Sequence, residues 1–233
     1  MHLFHCPDLL GASVELPEEE AHHATAVLRL AVGTRIGLLD GAGTKAAGEI
    51  ESASKKGCTV RILERVVLPA ERSARIHLAV APTKQMDRYE WFVEKAVEIG
   101  VDRITPLITD RTERGKLRID RLQRVAISAM KQSQRAWLPR IDELTTVKHL
   151  LQEDLAPQRL FGWCEGEHRS LMERYTPSID TVVLIGPEGD FTPEEAATFR
   201  NTGFHAVSIG AARLRTETAA LAVCTWISLA QQR

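Results

Sequence analysis

The sequence predicts an α/β protein with two domains, a β-rich domain at residues 1–70 and a larger α/β domain at residues 74–233. In the first seventy residues, short apolar segments are separated by glycine turns, which is typical of a small β-barrel. From residue 76 onward, apolar strands alternate with helical segments, as in a parallel sheet covered by helices. Residues 68–74 contain Pro69 and charged side chains and are predicted to be a linker.

The first domain begins with a helix at Pro17, because three glutamates occupy the first turn, where negative charge is favourable. Strands are predicted at 35–39, 46–52 and 58–65. The Gly41-Ala42-Gly43 triplet is compatible with a dinucleotide-binding loop or with a hairpin turn. No third glycine and no helix follow at the required spacing, so the hairpin is the better interpretation.

The second domain has five predicted strands, four of which are followed by a predicted helix. The strands lie at 76–81, 104–108, 159–163, 181–185 and 206–209. The first helix is predicted to be capped by Asp87, with Glu90 three positions later, and to end near Gly100. A later helix has a capping box of Thr192 and Glu195, and the last is predicted to begin with Thr216 as its N-cap.

Composition narrows the class of protein. The chain has 233 residues, 44% of them hydrophobic, and no apolar run approaches the roughly twenty residues of a membrane span. Its four cysteines are scattered and its N-terminus lacks a secretion signal. We therefore expect a soluble cytoplasmic protein with free thiols, no membrane association and no metal.

The charge distribution is uneven although the formal net charge is −1. Between residues 103 and 140 there are ten Lys or Arg against three acidic residues. In the predicted helix 120–137 the basic side chains form one stripe, which would suit phosphate contacts or a solvated helix face. The adjacent His22 and His23 point about 100° apart on a helix and do not form a metal pair.

Two strand-to-helix loops are the most informative segments. The first is Ile185-Gly186-Pro187-Glu188-Gly189-Asp190-Phe191, and the second runs from Ile209-Gly210 to Leu214-Arg215-Thr216-Glu217-Thr218-Ala219. At the carboxyl ends of parallel strands, free backbone N–H groups beside glycines form ligand sites. Each loop alone is compatible with an ordinary turn or helix cap, whereas the pair is much more specific.

Together these two loops resemble the signature of the RsmE family of ribosomal RNA methyltransferases in the SPOUT superfamily. Three further segments resemble that family: His22-His23-Ala24 with Val27-Leu28-Arg29, residues 94–101, and Ala129-x-x-Gln132-Ser133-x-Arg135. Two positions depart from the usual pattern. Asp190 replaces a more frequent glycine, and Ala212-Arg213 stands where many members have Arg-Ile.

The resemblance implies a PUA-like β-barrel followed by a SPOUT α/β domain tied in a deep trefoil knot. It also implies S-adenosylmethionine as cofactor, a homodimer, and methylation of N3 of a specific uridine in the 16S rRNA of the small ribosomal subunit. The cofactor-binding residues implied are Leu184, Ile185, Gly186, Pro187, Glu188, Gly189, Ile209, Gly210, Leu214, Arg215, Thr216, Thr218 and Ala219.

Two loop residues are candidates for catalysis. We hypothesise that Arg215 stabilises the uracil anion, because a nearby cation lowers the pKa of an acid, and that Glu217 orients Arg215 or accepts the proton. A structural salt bridge is an equally good interpretation of the pair. Residues expected to contact RNA are Arg29, Lys84, Arg111, Arg114, Arg121, Arg124, Lys131 and Arg135.

Two other functions stay open on sequence grounds. The first is a related methyltransferase that acts on a transfer RNA or another rRNA base, which identification of the modified nucleoside would decide. The second is an RNA-binding assembly factor without catalytic activity, in which case the chain would not bind S-adenosylmethionine.

Overall fold

The computed structural model describes residues 1–54, 57–113 and 115–232, which divide into two compact units. The first unit contains residues 1–71 and 127–138, and the second contains residues 72–126 and 139–233. The predicted linker at 68–74 includes the boundary between Glu71 and Arg72. The sequence did not predict that residues 127–138 group with the first unit.

In the first unit the described residues form a five-stranded sheet. Its strands are β1 (Leu3–His5), β2 (Ser13–Glu15), β3 (Arg35–Leu39), β4 (Thr44–Ser54) and β5 (Gly57–Val67). They are arranged in the order β1-β3-β4-β5-β2, with β1 parallel to β3 and the other pairs antiparallel. The core includes Phe4, Ile36, Leu38, Ile50 and Val60. Strands β1 and β2 were not predicted because each has only three residues.

The hairpin interpretation of the glycine triplet is confirmed, since β3 and β4 are antiparallel neighbours across it. Gly43 has φ +102°, and a Cβ there would overlap the Trp137 ring. The second glycine of the triplet is therefore required both by its backbone conformation and by the close approach of Trp137.

The first helix, α1 (Glu18–His22), starts after Pro17 as predicted and continues into a π-helical turn at His23–Val27. Arg29 lies beyond this turn with φ +53°. Arg29 is therefore outside the helix that contains His22, and its side chain is exposed.

In the second unit the described residues form a seven-stranded parallel sheet. The strands are β6 (Ile76–Val80), β7 (Arg103–Ile108), β8 (Arg140–Ile141), β9 (Thr145–Thr146), β10 (Gln158–Gly162), β11 (Thr181–Ile185) and β12 (His205–Val207). Their order is β12-β10-β11-β6-β7-β8, with β9 also paired to β7. All five predicted strands are present, so the predicted parallel α/β architecture is confirmed.

The longer helices are α2 (Met86–Ile99), α3 (Ile119–Gln132), α6 (Pro193–Asn201) and α7 (Thr216–Ala230), and the short ones are α4 (Val147–Leu150) and α5 (Leu171–Arg174). Helix α2 packs on α7. The aromatic rings of Phe161, Phe191 and Phe199 form the centre of a core beneath the strand ends. Among the described residues, no helix combines the length and apolar character that crossing a membrane requires.

The helix ends differ in part from the sequence prediction. The capping box of Thr192 and Glu195 is confirmed, as is the left-handed Gly100 at the end of α2. The N-cap of α2 is Gln85 and not Asp87, which lies in the first turn. Helix α3 ends at Gln132 rather than near Trp137, because Gln134 adopts a left-handed conformation with φ +58°.

A buried polar chain in the second unit joins β6, β7 and the residue that follows β8. His77 Nε2 lies 2.7 Å from Thr105 Oγ1, and the Thr105 hydroxyl donates to Asp142. Since that hydroxyl donates to the carboxylate, it accepts from His77, and Nε2 therefore carries the proton. Burial, together with the nearby positive charge of Arg103, lowers the pKa of His77 to about 3.

Candidate active site

A cavity of about 650 Å³ lies at the carboxyl ends of β10 and β11 and beside the segment that joins β12 to α7. It belongs wholly to the second unit. Residues from three loops line it: Gly162, Trp163, Cys164, Gly166, Glu167, His168, Ile185, Gly186, Pro187, Glu188, Asp190, Val207, Ser208, Ile209, Gly210, Ala211, Ala212, Arg213, Leu214, Thr216 and Ala219. Such a position, where strand ends meet helix starts, is a frequent ligand site in parallel sheets.

The loop after β11 is a tight turn held by its own backbone and by Asp190. The Asp190 N–H donates to the Pro187 carbonyl over 2.9 Å, and the residue has φ +62°. Its carboxylate accepts from the N–H groups of Phe191, at 2.8 Å, and Cys164, at 3.0 Å. A Cβ on Gly186 would lie 3.2 Å from the Phe191 nitrogen, so a larger residue would crowd this turn.

The two motif loops are joined by Thr216. Its hydroxyl donates to the Gly186 carbonyl over 2.9 Å, and the residue is buried. The sequence prediction that Thr216 is the N-cap of α7 was wrong. Arg215 occupies that position, and Thr216 is the first helical residue, which frees its side chain to bind the other loop.

Nine of the predicted cofactor residues line the cavity: Ile185, Gly186, Pro187, Glu188, Ile209, Gly210, Leu214, Thr216 and Ala219. In the described part of the chain, four others do not. Leu184 is buried in the core within β11, and Gly189 lies against the Arg111 side chain. Arg215 and Thr218 are exposed near the start of α7.

The loop after β10 supplies a third wall that the sequence did not predict. It contributes Trp163, Cys164, Gly166, Glu167 and His168. The available signal in the sequence was the end of the predicted strand at 159–163. In the structure a Cβ on Gly162 would lie 3.0 Å from the Ile209 side chain, so this wall is closely packed. This segment has no repeated pattern, and its place beside β11 depends on strand order, which the sequence leaves open.

The hypothesis that Glu217 orients Arg215 is not what the structure shows. Glu217 is buried and forms an ion pair with Arg88 at 3.9 Å. Its other oxygen, Oε2, is buried without a hydrogen-bond partner among the described residues. Arg215 is exposed between Leu214 and Thr216, both of which line the cavity. The two residues of the predicted catalytic pair are therefore two positions apart in sequence but have different surroundings.

Several predicted RNA-contacting residues have carboxylate partners. Arg121 binds Glu90 at 2.6 Å, and Arg124 binds Asp120 at 2.6 Å. In the first unit, Lys131 binds the buried Glu20 at 2.5 Å, and Arg135 pairs with Glu71. The predicted basic stripe is thus largely neutralised by acidic residues, most of them distant in sequence, which the spacing of its cations could not reveal.

The remaining predicted RNA residues differ in environment. Arg111 donates to the Gly189 carbonyl at 2.6 Å and to the Phe191 carbonyl at 3.3 Å, and so supports the loop after β11. Lys84 is exposed and pairs with Glu113 at 3.0 Å. Arg29 is exposed, and Arg114 lies outside the described residues.

Comparison with known proteins decides the family. Residues 69–228 match the RNA methyltransferase domain model, and residues 16–63 match the RNA methyltransferase PUA domain model. The ribosomal RNA small subunit methyltransferase E of Rickettsia conorii is 30% identical over 226 residues, covering 94% of this chain and 91% of that protein. The chain belongs to the ribosomal RNA small subunit methyltransferase E family. The sequence-based family assignment is confirmed.

Two solved structures are similar to this member of the family over its full length. A probable rRNA methyltransferase from Porphyromonas gingivalis has 39% identity and a TM-score of 0.91, covering 100% of this chain and 99% of that one. A ribosomal RNA small subunit methyltransferase E from Neisseria gonorrhoeae, solved with bound S-adenosyl methionine, has 29% identity and a TM-score of 0.88. That comparison covers 99% of this chain and 98% of the other.

Proposed function

We propose that this protein transfers a methyl group from S-adenosylmethionine to N3 of a uridine in the 16S rRNA of the small ribosomal subunit. The observation that carries the proposal is the cavity at the ends of β10 and β11. It is bounded by the two loops that resemble the RsmE signature and has about 650 Å³ of space. Family membership supports the substrate class.

The residues of the cavity fit S-adenosylmethionine. Ile185, Ile209 and Leu214 offer apolar surface suited to an adenine ring, and the glycines of both loops allow close approach to the backbone. Glu188, Glu167 and Asp190 supply carboxylates near a ligand that carries positive charge. When bound, this cofactor would supply an electrophilic methyl group on a sulfonium.

The protein's main contribution to such a reaction is alignment and the exclusion of water. Arg111 and Asp190 fix the turn at residues 186–191, and Thr216 ties this turn to the start of α7. These bonds keep the cavity walls in place before the ligands arrive. Uracil N3 normally faces a pairing partner and carries a proton, so the base must be unpaired and must lose that proton.

Arg215 is the residue we assign to stabilising the uracil anion. It is exposed at the N-terminus of α7 and lies in the chain between two cavity residues, and its positive charge would stabilise an anion on O2 or O4 of the base. Arg215→Ala should lower kcat by about 100-fold while leaving the Kd for S-adenosylmethionine within about twofold. Methyl incorporation and calorimetry measure the two quantities, with Arg213→Ala, a change to a cavity arginine, for comparison. Equal loss of both would make Arg215 a cofactor-binding residue.

We also propose a deep trefoil knot in the C-terminal part of the second domain and a homodimer formed through α2 and α7. The resemblance to SPOUT enzymes supports the knot, whose threading would involve the loops around the cavity. The exposed Trp91 on α2 and Leu229 on α7, two helices that pack together, support the dimer.

Mass spectrometry of rRNA nucleosides tests the reaction. Small-subunit rRNA from cells without this gene should lack one 3-methyluridine, and the purified protein with S-adenosylmethionine should restore it to unmethylated subunits. A different missing nucleoside would redirect the proposal to another base. Absence of S-adenosylmethionine binding in a titration would favour an assembly factor instead.

A further inference from the structure

A second pocket of about 420 Å³ adjoins the proposed cofactor cavity. The two share Glu167 and His168, so the loop after β10 separates them. The pocket is lined by Glu167, His168, Arg169, Arg174, Arg200, Phe204, His205 and Ala206. It lies beside β12, an edge strand of the second unit's sheet.

This pocket is strongly basic. Its lining includes three exposed arginines and one glutamate, and two histidines add further hydrogen-bonding groups. Hydrogen bonds from Ser170 lower the pKa of Glu173, and the charge of Arg169 adds to this effect. Within residues 1–54, 57–113 and 115–232, however, none of the three arginines has a carboxylate oxygen within 4.0 Å. In this respect they differ from Arg121 and Arg124.

Arg200 is held in position by an aromatic ring. Its guanidinium carbon lies 5.7 Å from the centre of the Phe161 ring, a cation–π contact. Among the described residues, the N–H donors of this guanidinium have no hydrogen-bond partner. A planar group with free donors along its edge is suited to the paired oxygens of a phosphate.

We propose that this basic pocket binds phosphate groups of the RNA strand that carries the target uridine, an inference that rests on the proposed function. A nucleotide whose base enters the cofactor cavity has its neighbouring phosphates a few ångströms away. The pocket shares a wall with that cavity and offers arginines without ion-pair partners among the described residues. The predicted basic stripe is less suited to this role, because its cations are already paired with carboxylates.

The test measures how RNA binding depends on salt. Arg174→Gln and Arg200→Gln, alone and combined, are compared with wild type on unmethylated small-subunit rRNA. The slope of log Kobs against log salt is negative, and removing one arginine–phosphate interaction reduces its magnitude by about 0.7 to 0.9. The salt dependence of the double variant should therefore be less steep than that of wild type by about 1.5. Arg75→Gln is the matched control, since Arg75 is exposed in the same unit and lines neither pocket.

Calorimetry with S-adenosylmethionine separates this proposal from the proposed function. All variants should bind the cofactor as wild type does. If wild type methylates the RNA and the double variant keeps its salt slope, the pocket proposal is wrong and the proposed function stands. Inorganic phosphate is titrated alone as well. Micromolar binding that the double variant loses would assign the pocket to a small free anion and overturn the RNA assignment.

Discussion

Asp190 shows how a single residue can shape the proposed cofactor cavity. In the sequence it is only a departure from a more frequent glycine. In the structure its two carboxylate oxygens accept from Phe191 and Cys164, which lie on different loops. The left-handed backbone, φ +62°, is one that Asp, Asn and Gly adopt with least strain. The carboxylate thus joins the unpredicted third wall to the predicted turn.

Replacement of Asp190 by glycine should therefore loosen that wall without straining the backbone. We expect about tenfold weaker binding of S-adenosylmethionine, since a hydrogen bond to a charged group contributes about 1.5–3 kcal/mol and 1.4 kcal/mol is tenfold in affinity. Burial raises the pKa of the Cys164 thiol, and Asp190 adds to that rise, so alkylation of Cys164 at neutral pH should become faster in the variant.

The wild-type protein provides a control that links cofactor binding to the reactivity of Cys164. Saturating S-adenosylmethionine should slow alkylation of Cys164, because the cysteine lines the same cavity. Unchanged cofactor affinity together with unchanged thiol reactivity would show that the carboxylate does not position this loop.

At the scale of single residues, sequence patterns predicted the two motif loops but not the side chains that pair with residues of those loops and of the helices. Glycine and proline at strand ends identified the turn at 185–191, since those residues have few other uses there. The ion pair of Glu217 with Arg88, and that of Arg121 with Glu90, join residues far apart in the chain. Such pairs depend on which helices and strands become neighbours in the fold, and a local sequence pattern does not predict those neighbours.

At the scale of elements, the strands and capping signals were predicted best. The predicted strand at 181–185 has the observed bounds, because a fully buried strand is a continuous apolar run between turn residues. Helix α3 was predicted five residues too long, since Ala136 and Trp137 continue the apolar spacing after the backbone has left the helix at Gln134. Periodicity describes side-chain spacing and does not by itself identify where a helix ends.

The polar chain of His77, Thr105 and Asp142 should make stability depend on pH. The pKa of His77 is about 3 in the folded protein and about 6.5 when unfolded, so the unfolded state binds more protons between these values. The contribution of neutral His77 is complete above pH 6.5 and is lost as pH falls toward 3. At one pKa unit per about 1.4 kcal/mol, the loss has an upper bound of about 5 kcal/mol.

His77→Gln isolates this effect, because glutamine keeps an N–H donor for Thr105 but does not titrate. Urea unfolding at pH 7.5 and pH 4.5 should show a smaller loss of unfolding free energy in the variant than in wild type. The carboxylates titrate equally in both proteins, so their effect on the unfolding free energy cancels in the comparison. If both proteins lose the same unfolding free energy between pH 7.5 and pH 4.5, His77 is already protonated in the folded state at the lower pH.

At the scale of the whole molecule, the homodimer was predicted only from the family resemblance and from no pattern within the sequence. Trp91 is 44% exposed and Leu229 is 56% exposed, although both side chains are large and apolar. Trp91→Glu and Leu229→Glu should convert a dimer of about twice 25.9 kDa into a monomer in sedimentation equilibrium. Val67→Glu is the control, since Val67 is 74% exposed and lies in the first unit. A wild-type protein that sediments as a monomer would contradict the proposal.

The pairing of the stripe's cations with Glu90, Asp120, Glu20 and Glu71 also bears on how the protein finds its target. A cell contains a large excess of transfer and messenger RNA, which would sequester any protein whose surface attracts polyanions indiscriminately. Cations held by their own carboxylates gain little from displacing counterions along arbitrary RNA. Weak attraction to bulk RNA would leave the protein free to search, so that residence at one site depends on local fit.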